Sequence, residues 1–259
     1  IYTLSLHDAL PIYELRCGVP LIEIVSEPDM TGPEEARAFA EKVRNTLEYT
    51  GVSDCKMEEG SIRFDVNLSV KPKGSDELGT RTEMKNLNSF RALERAVRYE
   101  SKRQIIELKK GHRIIQETRK WDDAKGVSSS MRSKEDAQDY RYFPEPDLVP
   151  IVITDEQIAQ VKSELPELPE VKKARYVSDY GLPEYDAEVL TTSKETARFF
   201  EETVAILNEP KQISNWLMVD IPAHLKEKEL TMATIPFAAK DLAEVRRSEE
   251  RRVGKECRS

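Results

Sequence analysis

The fold of this chain is decided by the stretch Ser61-Ile-Arg-Phe-Asp-Val-Asn-Leu-Ser-Val70. Apolar and polar residues alternate along it, so in an extended strand they would lie on opposite faces of a sheet. The apolar set is Ile62, Phe64, Val66, Leu68 and Val70, and the polar set is Arg63, Asp65, Asn67 and Ser69. The pattern predicts a strand over residues 62–70 with one face in a core and the other face polar.

A second alternating stretch covers residues 79–85 and places Arg81, Glu83 and Lys85 on one side. The residues between the two stretches contain the Pro and Gly that are typical of a hairpin loop. We therefore expect the two polar rows to become neighbours across an antiparallel ladder.

The joint polar face has two interpretations, and the sequence pattern leaves both open. Antiparallel sheets often expose one face to water, so the row is consistent with a solvated surface held by cross-strand ion pairs. It is equally consistent with a phosphoryl-transfer site, because hard oxygen donors suit Mg²⁺ and cationic side chains suit phosphate. The oxygen donors are Asp65, Asn67 and Glu83, and the cations are Arg63, Arg81 and Lys85.

Around these strands the pattern predicts further strands at 18–26 and 113–119 and helices at 33–50 and 89–110. Glu23 stands in the middle of the first, mostly apolar strand, where a carboxylate is expected to face a polar cavity or water. Strands and helices in alternation predict an α+β fold, an antiparallel sheet with helices on one face. Pro33 suits the first turn of the first helix and Gly51 its end, and Asn88 or Ser89 is the predicted N-cap of the second. The second helix is predicted to turn Phe90, Leu93, Val97, Ile105 and Leu108 inward. The polar members of the strand at 113–119 are expected to be Gln116, Glu117 and Arg119.

A loop is predicted over residues 121–130, followed by a segment over 131–147 that is rich in residues able to bind ligands. Its cations suit phosphate and its aromatic rings could stack on a base. The alternative is an ordered loop packed by its own aromatic rings. The cations are Arg132, Lys134 and Arg141, and the rings are those of Tyr140, Tyr142 and Phe143.

From Thr154 onward the pattern is helical, with capping boxes predicted at Thr154–Gln157 and Thr192–Glu195. Helices are predicted near 155–163, 169–180, 183–190, 193–207 and 210–221, and the aromatic residues Tyr176, Tyr180, Tyr185, Phe199, Phe200 and Trp216 are expected in their core. Both ends of the chain resemble translated sequencing-adapter read-through. We therefore predict non-native segments at 1–12 and 246–259, an α/β domain at 13–153 and a helical domain at 154–245.

Composition limits the class of protein. The chain has 259 residues, 39% hydrophobic and 34% charged, and it contains no apolar run of membrane-spanning length. Its net charge of −8 disfavours indiscriminate nucleic-acid binding, so any RNA contact is expected to be local. Its three widely spaced cysteines, Cys17, Cys55 and Cys257, argue against a disulfide framework and for a reducing cytoplasm.

Five motifs in order along the chain resemble the B-subunit family of aspartyl/glutamyl-tRNA amidotransferases. They are Gly18-Val-Pro-Leu-Ile-Glu-Ile-Val-Ser-Glu-Pro-Asp29, Lys56-Met-Glu-Glu-Gly-Ser61, Lys85-Asn-Leu-Asn-Ser-Phe90, Gln116-Glu-Thr-Arg119 and Asp139-Tyr-Arg-Tyr-Phe-Pro-Glu-Pro-Asp147. The resemblance covers residues 16–245. It implies a partial cradle domain, built like the glutamine synthetase catalytic fold, followed by a helical domain.

The resemblance also implies an activity, a carbon–nitrogen ligase with glutamine as nitrogen donor. ATP, with Mg²⁺, would phosphorylate the side-chain carboxylate of glutamate or aspartate misacylated on tRNA(Gln) or tRNA(Asn). Ammonia from the glutaminase, which is the A subunit, would then displace phosphate, in a complex that also contains the C subunit. By the resemblance Glu23 and Glu83 match metal-site positions, and Arg63, Lys85, Arg132 and Arg141 are assigned to ATP or substrate from charge and motif position.

The sequence departs from the family in that the Glu-x-His and His-Met-Glu-Glu-Asp motifs do not occur in it. We also expect the family's C-terminal tail domain to be missing. We therefore expect a fragment that binds metal and ATP poorly on its own and does not turn over. Two other functions stay open: a non-catalytic tRNA-binding or assembly module of the same complex, and a carboxylate–amine ligase that acts on a small molecule.

Overall fold

The structure is a computed structural model that describes residues 21–133 and 152–256. Its first part is a four-stranded sheet in the order β1-β2-β3-β4, with one helix before the sheet and one between β2 and β3. The bounds are α1 Pro33–Thr50, β1 Phe64–Leu68, β2 Thr82–Leu87, α2 Phe90–Lys109, β3 Glu117–Asp122 and β4 Val127–Ser133.

The hairpin predicted from the alternating stretches is confirmed: β1 and β2 pair antiparallel, with Asn67 opposite Glu83. The expectation of a wholly antiparallel sheet is wrong, because β2 and β3 run parallel while β3 and β4 are antiparallel. The cause is α2, whose 20 residues carry the chain back along the sheet before β3 begins. A parallel pair requires a crossover of this kind.

The strand predicted at 18–26 is wrong for residues 21–26, which are extended, exposed and outside the sheet. Residues 18–20 lie outside the described part of the chain. The apolar residues of this segment are solvent-exposed, with Val25 at 81% and Leu21 at 69%. An apolar run forms a strand only where a neighbouring strand pairs with it, and none of the four strands of the described sheet does so.

The loop predicted over 121–130 is also wrong, because β3 runs on to Asp122 and β4 begins at Val127. A tight turn joins them, in which the backbone N–H of Gly126 donates to the carbonyl of Asp122 at 2.8 Å. Gly126 adopts a φ of 67°, which an L-residue rarely adopts. After Val127, β4 continues with three serines, which are not among the β-branched and aromatic residues enriched in strands, so the sequence pattern did not indicate this strand.

The helix α1 has both predicted ends, with Pro33 in its first turn and Gly51 at φ 73° as its C-cap. The predicted N-cap of α2 was Asn88 or Ser89, and the structure selects Ser89, whose side chain accepts a hydrogen bond from the Ala92 N–H. Leu93 and Val97 are buried as predicted.

Further along α2 the predicted inward positions are wrong. Ile105 and Leu108 are 42% and 47% exposed, whereas Glu100 and Gln104 are fully buried. The buried positions 93, 97, 100 and 104 follow one helical face, so the inward stripe continues with polar residues. A prediction based on apolar periodicity could not find them.

The second part is helical, and its first four helices lie within one residue of the predicted bounds. Thr154 forms the predicted capping box with Gln157, but the second box is wrong, because Ser193 is the N-cap and accepts from the Thr196 N–H. The bounds are α3 Asp155–Glu164, α4 Pro169–Tyr180, α5 Glu184–Thr191, α6 Lys194–Ile206, α7 Pro210–Asn215, a π-helical turn Trp216–Asp220, α8 Ile221–Glu227, a 3₁₀ turn Met232–Thr234 and α9 Ala239–Glu256.

Aromatic side chains fill the core of this helical part as predicted, with Tyr176 and Phe200 fully buried and their ring centroids 4.9 Å apart. Tyr185 is the exception: it is 70% exposed, so its assignment to the core is wrong. The proposed division of the chain at residues 153 and 154 stays a prediction.

Tyr49, at the end of α1, joins the two parts. Its hydroxyl donates to the carbonyl of Thr191 at 2.9 Å, and the Lys194 ammonium donates to the carbonyl of Tyr49 at 3.0 Å. Burial raises the pKa of Tyr49, so the hydroxyl stays protonated and able to donate.

In the part of the chain that the structure describes, no helix is long and apolar enough to cross a membrane.

Candidate active site

One row of paired residues crosses all four strands of the sheet. Asn67 pairs with Glu83, Glu83 pairs with Thr118, and Thr118 pairs with Arg132. We call these four residues the polar row. In β2 the residues on either side of Glu83, Thr82 and Met84, are buried against the helices, so Glu83 lies on the opposite, open face.

Glu83 supplies the carboxylate of the polar row. Its side chain is 16% exposed, and its Oε2 accepts a hydrogen bond from the Thr118 hydroxyl at 2.7 Å. Its Oε1 lies 3.4 Å from the Lys85 ammonium. Donors from the same strand and from the neighbouring strand therefore fix the orientation of this carboxylate.

Lys85 also pairs across the hairpin with Asp65, at 2.7 Å between Nζ and Oδ2. A β-bulge shapes this contact, because the register shifts by one residue where Asp65 faces β2. Asn86 takes the extra position with a φ of 68°, and its side-chain amide donates to the Trp121 carbonyl at 2.9 Å. Bulges of this type redirect neighbouring side chains, and they recur beside active sites.

The charges around Lys85 determine its protonation. Partial burial by itself lowers the Lys85 pKa, but the hydrogen bond with Asp65 and the negative charges of Asp65 and Glu83 outweigh it, so the pKa is raised. The ammonium therefore stays charged at neutral pH. A fixed cation next to a fixed carboxylate gives this face a site of mixed charge.

The other predicted site residues lie in different places. Arg132 is in β4, at the end of the polar row, and Arg63 is exposed directly before β1. Glu23 is exposed in the extended segment outside the sheet, and Arg141 lies outside the described residues. The structure thus brings Glu83 and Lys85 together in one site, and the roles of Glu23 and Arg141 stay predictions.

Two residues of this face, Thr118 and Lys120, were missed. Gln116, Glu117 and Arg119 were expected to be the polar members of this strand, but Gln116 lies before β3, and Arg119 is buried on the helix side and pairs with Glu117. Both faces of β3 carry polar residues, so a period-two pattern has no apolar reference from which to assign the faces. The only available signal was that Thr118 lies within the motif Gln116-Glu-Thr-Arg119.

The donor chemistry of the row suits Mg²⁺ held together with a nucleotide. Among residues 21–133 and 152–256, no group of three or more His, Cys, Asp or Glu side chains is placed to hold a metal ion. Mg²⁺ usually binds through one or two carboxylates, with phosphate and water oxygens completing its octahedron. Glu83 and Asp65 could supply those carboxylates, with the Asn67 amide oxygen nearby on the same face.

Comparison with known proteins gives consistent results over most of the chain. A family model described as the GatB/GatE catalytic domain matches residues 7–159, and one described as a GatB domain matches residues 198–251. The chain is 60% identical to the B subunit of aspartyl/glutamyl-tRNA(Asn/Gln) amidotransferase from Caldicellulosiruptor saccharolyticus over 215 aligned residues. This alignment covers 83% of this chain and 45% of that protein. It is 55% identical over 236 residues to the protein of the same name from Lachnospira eligens, covering 89% and 49%. The chain thus spans about half the length of these curated relatives.

Proposed function

Because the chain belongs to the GatB/GatE family, we propose that it forms part of the ligase site of a tRNA-dependent amidotransferase, within the B subunit. The proposed substrates are ATP, ammonia and the side-chain carboxylate of glutamate or aspartate misacylated on tRNA(Gln) or tRNA(Asn). The observation that supports a catalytic role is the Glu83 carboxylate, which Thr118 and Lys85 hold on the open face of the sheet.

The reaction needs activation because a carboxylate is a poor acyl donor, its leaving group being oxide. In the proposed first step a carboxylate oxygen attacks the γ-phosphorus of ATP, which gives an acyl phosphate and ADP. In the second step the nitrogen of ammonia attacks the acyl carbon, the C–O bond to phosphate breaks, and an amide forms. Phosphoryl transfer of this kind depends mainly on positioning and on neutralisation of the phosphate charge.

The residues of the site divide this work between them. Lys85 presents a permanent ammonium to phosphate oxygens, and Arg132, at the end of the polar row, is the next cation proposed for them. Glu83 and Asp65 would hold Mg²⁺, which when bound neutralises charge on the transferred phosphoryl group. Thr118 and Lys85 keep the Glu83 carboxylate in a fixed orientation.

The chemistry also implies partners and a location. Ammonia must be delivered to the activated carboxylate before water hydrolyses it, which supports a complex with the glutaminase (the A subunit), together with the C subunit. The curated relatives are named as subunits of a tRNA(Asn/Gln) amidotransferase. Since aminoacyl-tRNA is used in translation, we propose a cytoplasmic complex with no membrane association.

Substitution of Glu83 by Gln tests the proposed function. The variant would be made in a full-length B subunit of the C. saccharolyticus enzyme that carries residues 21–245 of this chain, assembled with its partner subunits. The substitution removes the charge and keeps the shape, so we expect tRNA-dependent amidation to fall by about 10²–10³-fold. The control is Glu77→Gln, which changes an exposed carboxylate in the β1–β2 loop and should leave the rate unchanged.

Two outcomes would support the other functions. Unchanged amidation by Glu83→Gln would mean that this chain serves as a tRNA-binding or assembly module and not as the ligase site. Phosphate release from ATP that does not depend on misacylated tRNA would instead support a ligase for a small carboxylic acid.

A further measurement concerns the chain by itself. We expect weak binding of Mg-ATP to the 259-residue chain, because the Glu-x-His and His-Met-Glu-Glu-Asp motifs of the family do not occur in it. Isothermal titration with Mg-ATP measures this binding directly. Submicromolar affinity would show that the chain holds the nucleotide without those motifs.

A further inference from the structure

A cluster of buried polar side chains lies directly behind the polar row, between α2 and the sheet. Its centre is Glu100, which is fully buried. We call this cluster the rear network. Its members are Thr82, Glu100, Arg103, Gln104, Arg119 and Ser128.

The Glu100 carboxylate receives donors from several elements. The Thr82 hydroxyl donates to its Oε1 at 2.8 Å, and Arg103 donates to Oε2 at 2.8 Å and to Oε1 at 2.7 Å. Arg119 places its Nε 3.5 Å from Oε2 and donates from the same Nε to the Ser128 hydroxyl at 2.8 Å. These donors neutralise the buried charge and give the carboxylate one orientation.

The rear network reaches every strand of the sheet. Gln104 donates to the carbonyl of Leu68 in β1 at 3.2 Å and to the hydroxyl of Thr82 in β2 at 3.0 Å. Arg119 lies in β3, and its guanidinium also donates to the carbonyl of Ser128 in β4 at 3.0 Å. The helix α2 therefore contacts β1 and β2 directly through Gln104 and Glu100. It contacts β3 through the pair of Glu100 with Arg119, and Arg119 in turn bonds to Ser128 of β4.

These contacts lie next to the polar row in sequence. Thr82 immediately precedes Glu83, and Arg119 immediately follows Thr118. Successive residues of a strand point to opposite faces, so a contact that fixes Thr82 behind the sheet also fixes where Glu83 stands in front. The same holds for Arg119 and Thr118, whose hydroxyl orients Glu83.

Stability alone is a weak explanation for such a cluster. Buried ion pairs are often no more stabilising than well-packed apolar residues of similar volume. The Gln104 side-chain oxygen is also buried without a hydrogen-bond partner among the described residues, which is unfavourable. The arrangement is instead suited to hold four strands in one exact register.

We propose that Glu100 is a positioning residue of the ligase site: through Thr82 and Arg119 it sets the placement of Glu83 and Thr118 on the opposite face. This inference rests on the proposed function of the polar row. Glu100 touches no substrate in this scheme, so its effect on the rate passes through the sheet.

The test uses the assembled amidotransferase described above, with kcat, KM for ATP and melting temperature measured for each variant. The double variant Glu100→Leu with Arg119→Met removes the buried carboxylate and the guanidinium that links it to β3 and β4, while the remaining partner Arg103 is partly exposed to water. Glu100→Gln retains the hydrogen-bonding shape. Misplacement of a reacting group by about 1 Å costs about 10²-fold in rate, so we expect kcat to fall by about 10- to 100-fold in the double variant. The fall should be smaller in Glu100→Gln, and KM for ATP should change little in both variants. The melting temperature shows whether each variant is folded at the assay temperature. The control is Glu107→Gln, a partly exposed carboxylate of the same helix that pairs only locally, and it should leave kcat unchanged.

The outcomes separate this inference from the proposed function. Parental kcat in a folded double variant would overturn the positioning role, and if the double variant does not fold, parental kcat in Glu100→Gln would do so. Loss of amidation in Glu83→Gln with full kcat in both Glu100 variants would leave the ligase site intact and refute only the role of Glu100. Full amidation in Glu83→Gln would refute the proposed function itself.

Discussion

The sheet and the helical part bury polar groups in different ways. In the helical part the buried hydroxyls of Thr191 and Thr203 donate within their own helices, to the carbonyls of Ala187 at 2.8 Å and Phe199 at 2.7 Å. The buried hydroxyls of Ser214 and Tyr176 reach a neighbouring helix, at 3.3 Å to Asp186 and 3.2 Å to the Ala197 carbonyl, but no charged side chain is buried there among the described residues. Behind the sheet, Glu100 of α2 bonds to Arg103 and Gln104 on its own helix, and Glu100 and Gln104 also contact residues of other elements: Thr82 and Arg119 for Glu100, and Thr82 and Leu68 for Gln104.

The difference shows what each core specifies. Polar groups that bond within one helix place few demands on neighbouring elements, and the surrounding packing is apolar and aromatic. Polar groups that bond between elements fix the relation of one element to another, because a shifted strand would leave them unpaired. The helical core thus contributes stability, while the sheet core also sets geometry.

Truncation of the helical core should have the largest effect on folding. Phe200 is fully buried between the rings of Tyr176 and Tyr180, so Phe200→Ala should lower the free energy of unfolding by about 3–5 kcal/mol. The chain has two tryptophans, Trp121 in the sheet and Trp216 in the helical part, so variants that keep one of them report on each part separately. We expect the Trp216 transition to move in denaturant more than the Trp121 transition. Equal shifts of the two transitions would show that the sheet part and the helical part unfold as one unit.

The loss of unfolding free energy at acid pH should depend in part on the Glu100 carboxylate. Burial raises the pKa of Glu100, but hydrogen bonds from Arg103, Gln104 and Thr82 outweigh this, so the pKa lies below its ordinary value of 4.5. The stabilisation by the carboxylate is complete above that value and is lost as pH falls through the lowered pKa. Glu100→Gln should therefore flatten the decline of unfolding free energy below pH 4.5. We expect a smaller effect than for Phe200→Ala, because a protonated carboxyl still forms hydrogen bonds, and an unchanged decline at acid pH would contradict the lowered pKa.

The contact between the two parts should be sensitive to one hydroxyl. Tyr49→Phe removes the hydrogen bond to the Thr191 carbonyl and leaves that buried carbonyl without this donor, at an expected cost of about 1–2 kcal/mol. Tyr185→Phe is the matched control, because this tyrosine is 70% exposed and should be neutral. Equal melting temperatures for the two variants would mean that the Tyr49 hydroxyl does not contribute to holding the parts together.

The smallest predicted effect is at the start of α2. Ser89→Ala removes the side-chain acceptor for the Ala92 N–H and should cost about 1 kcal/mol. Ser101→Ala, inside the same helix, serves as the control and should be neutral or slightly stabilising, because alanine has the higher helix propensity. A larger loss at Ser101 than at Ser89 would show that the cap is not what stabilises this end.

Much of the helical structure could be predicted because it follows local rules. Proline in the first turn and glycine after the last located α1 correctly, and the Ser89 cap located the start of α2. The strands were harder to predict from the sequence, because pairing with a neighbouring strand, and not local preference, determines which extended segments become strands. The apolar segment at 21–26 lacks a partner in the described sheet, while the serine-rich β4 has one.

The candidate site was found only in part, for related reasons. Glu83 and Lys85 follow from alternation in one strand, and their neighbour Asp65 follows from the hairpin. Thr118 could be assigned to the site only if the parallel pairing of β2 with β3 was known, and that pairing depends on the crossover through α2. Glu100 could not be recognised, because apolar periodicity treats a buried charge as an outward-facing residue.

The parallel pairing also has a consequence for assembly of the molecule. β2 and β3 are joined through the 20-residue helix α2, so their pairing has a larger loop-closure cost than the β3–β4 hairpin. Sheets that depend on such distant contacts form slowly. During synthesis the row from Asn67 to Arg132 therefore remains incomplete until the last strand has left the ribosome.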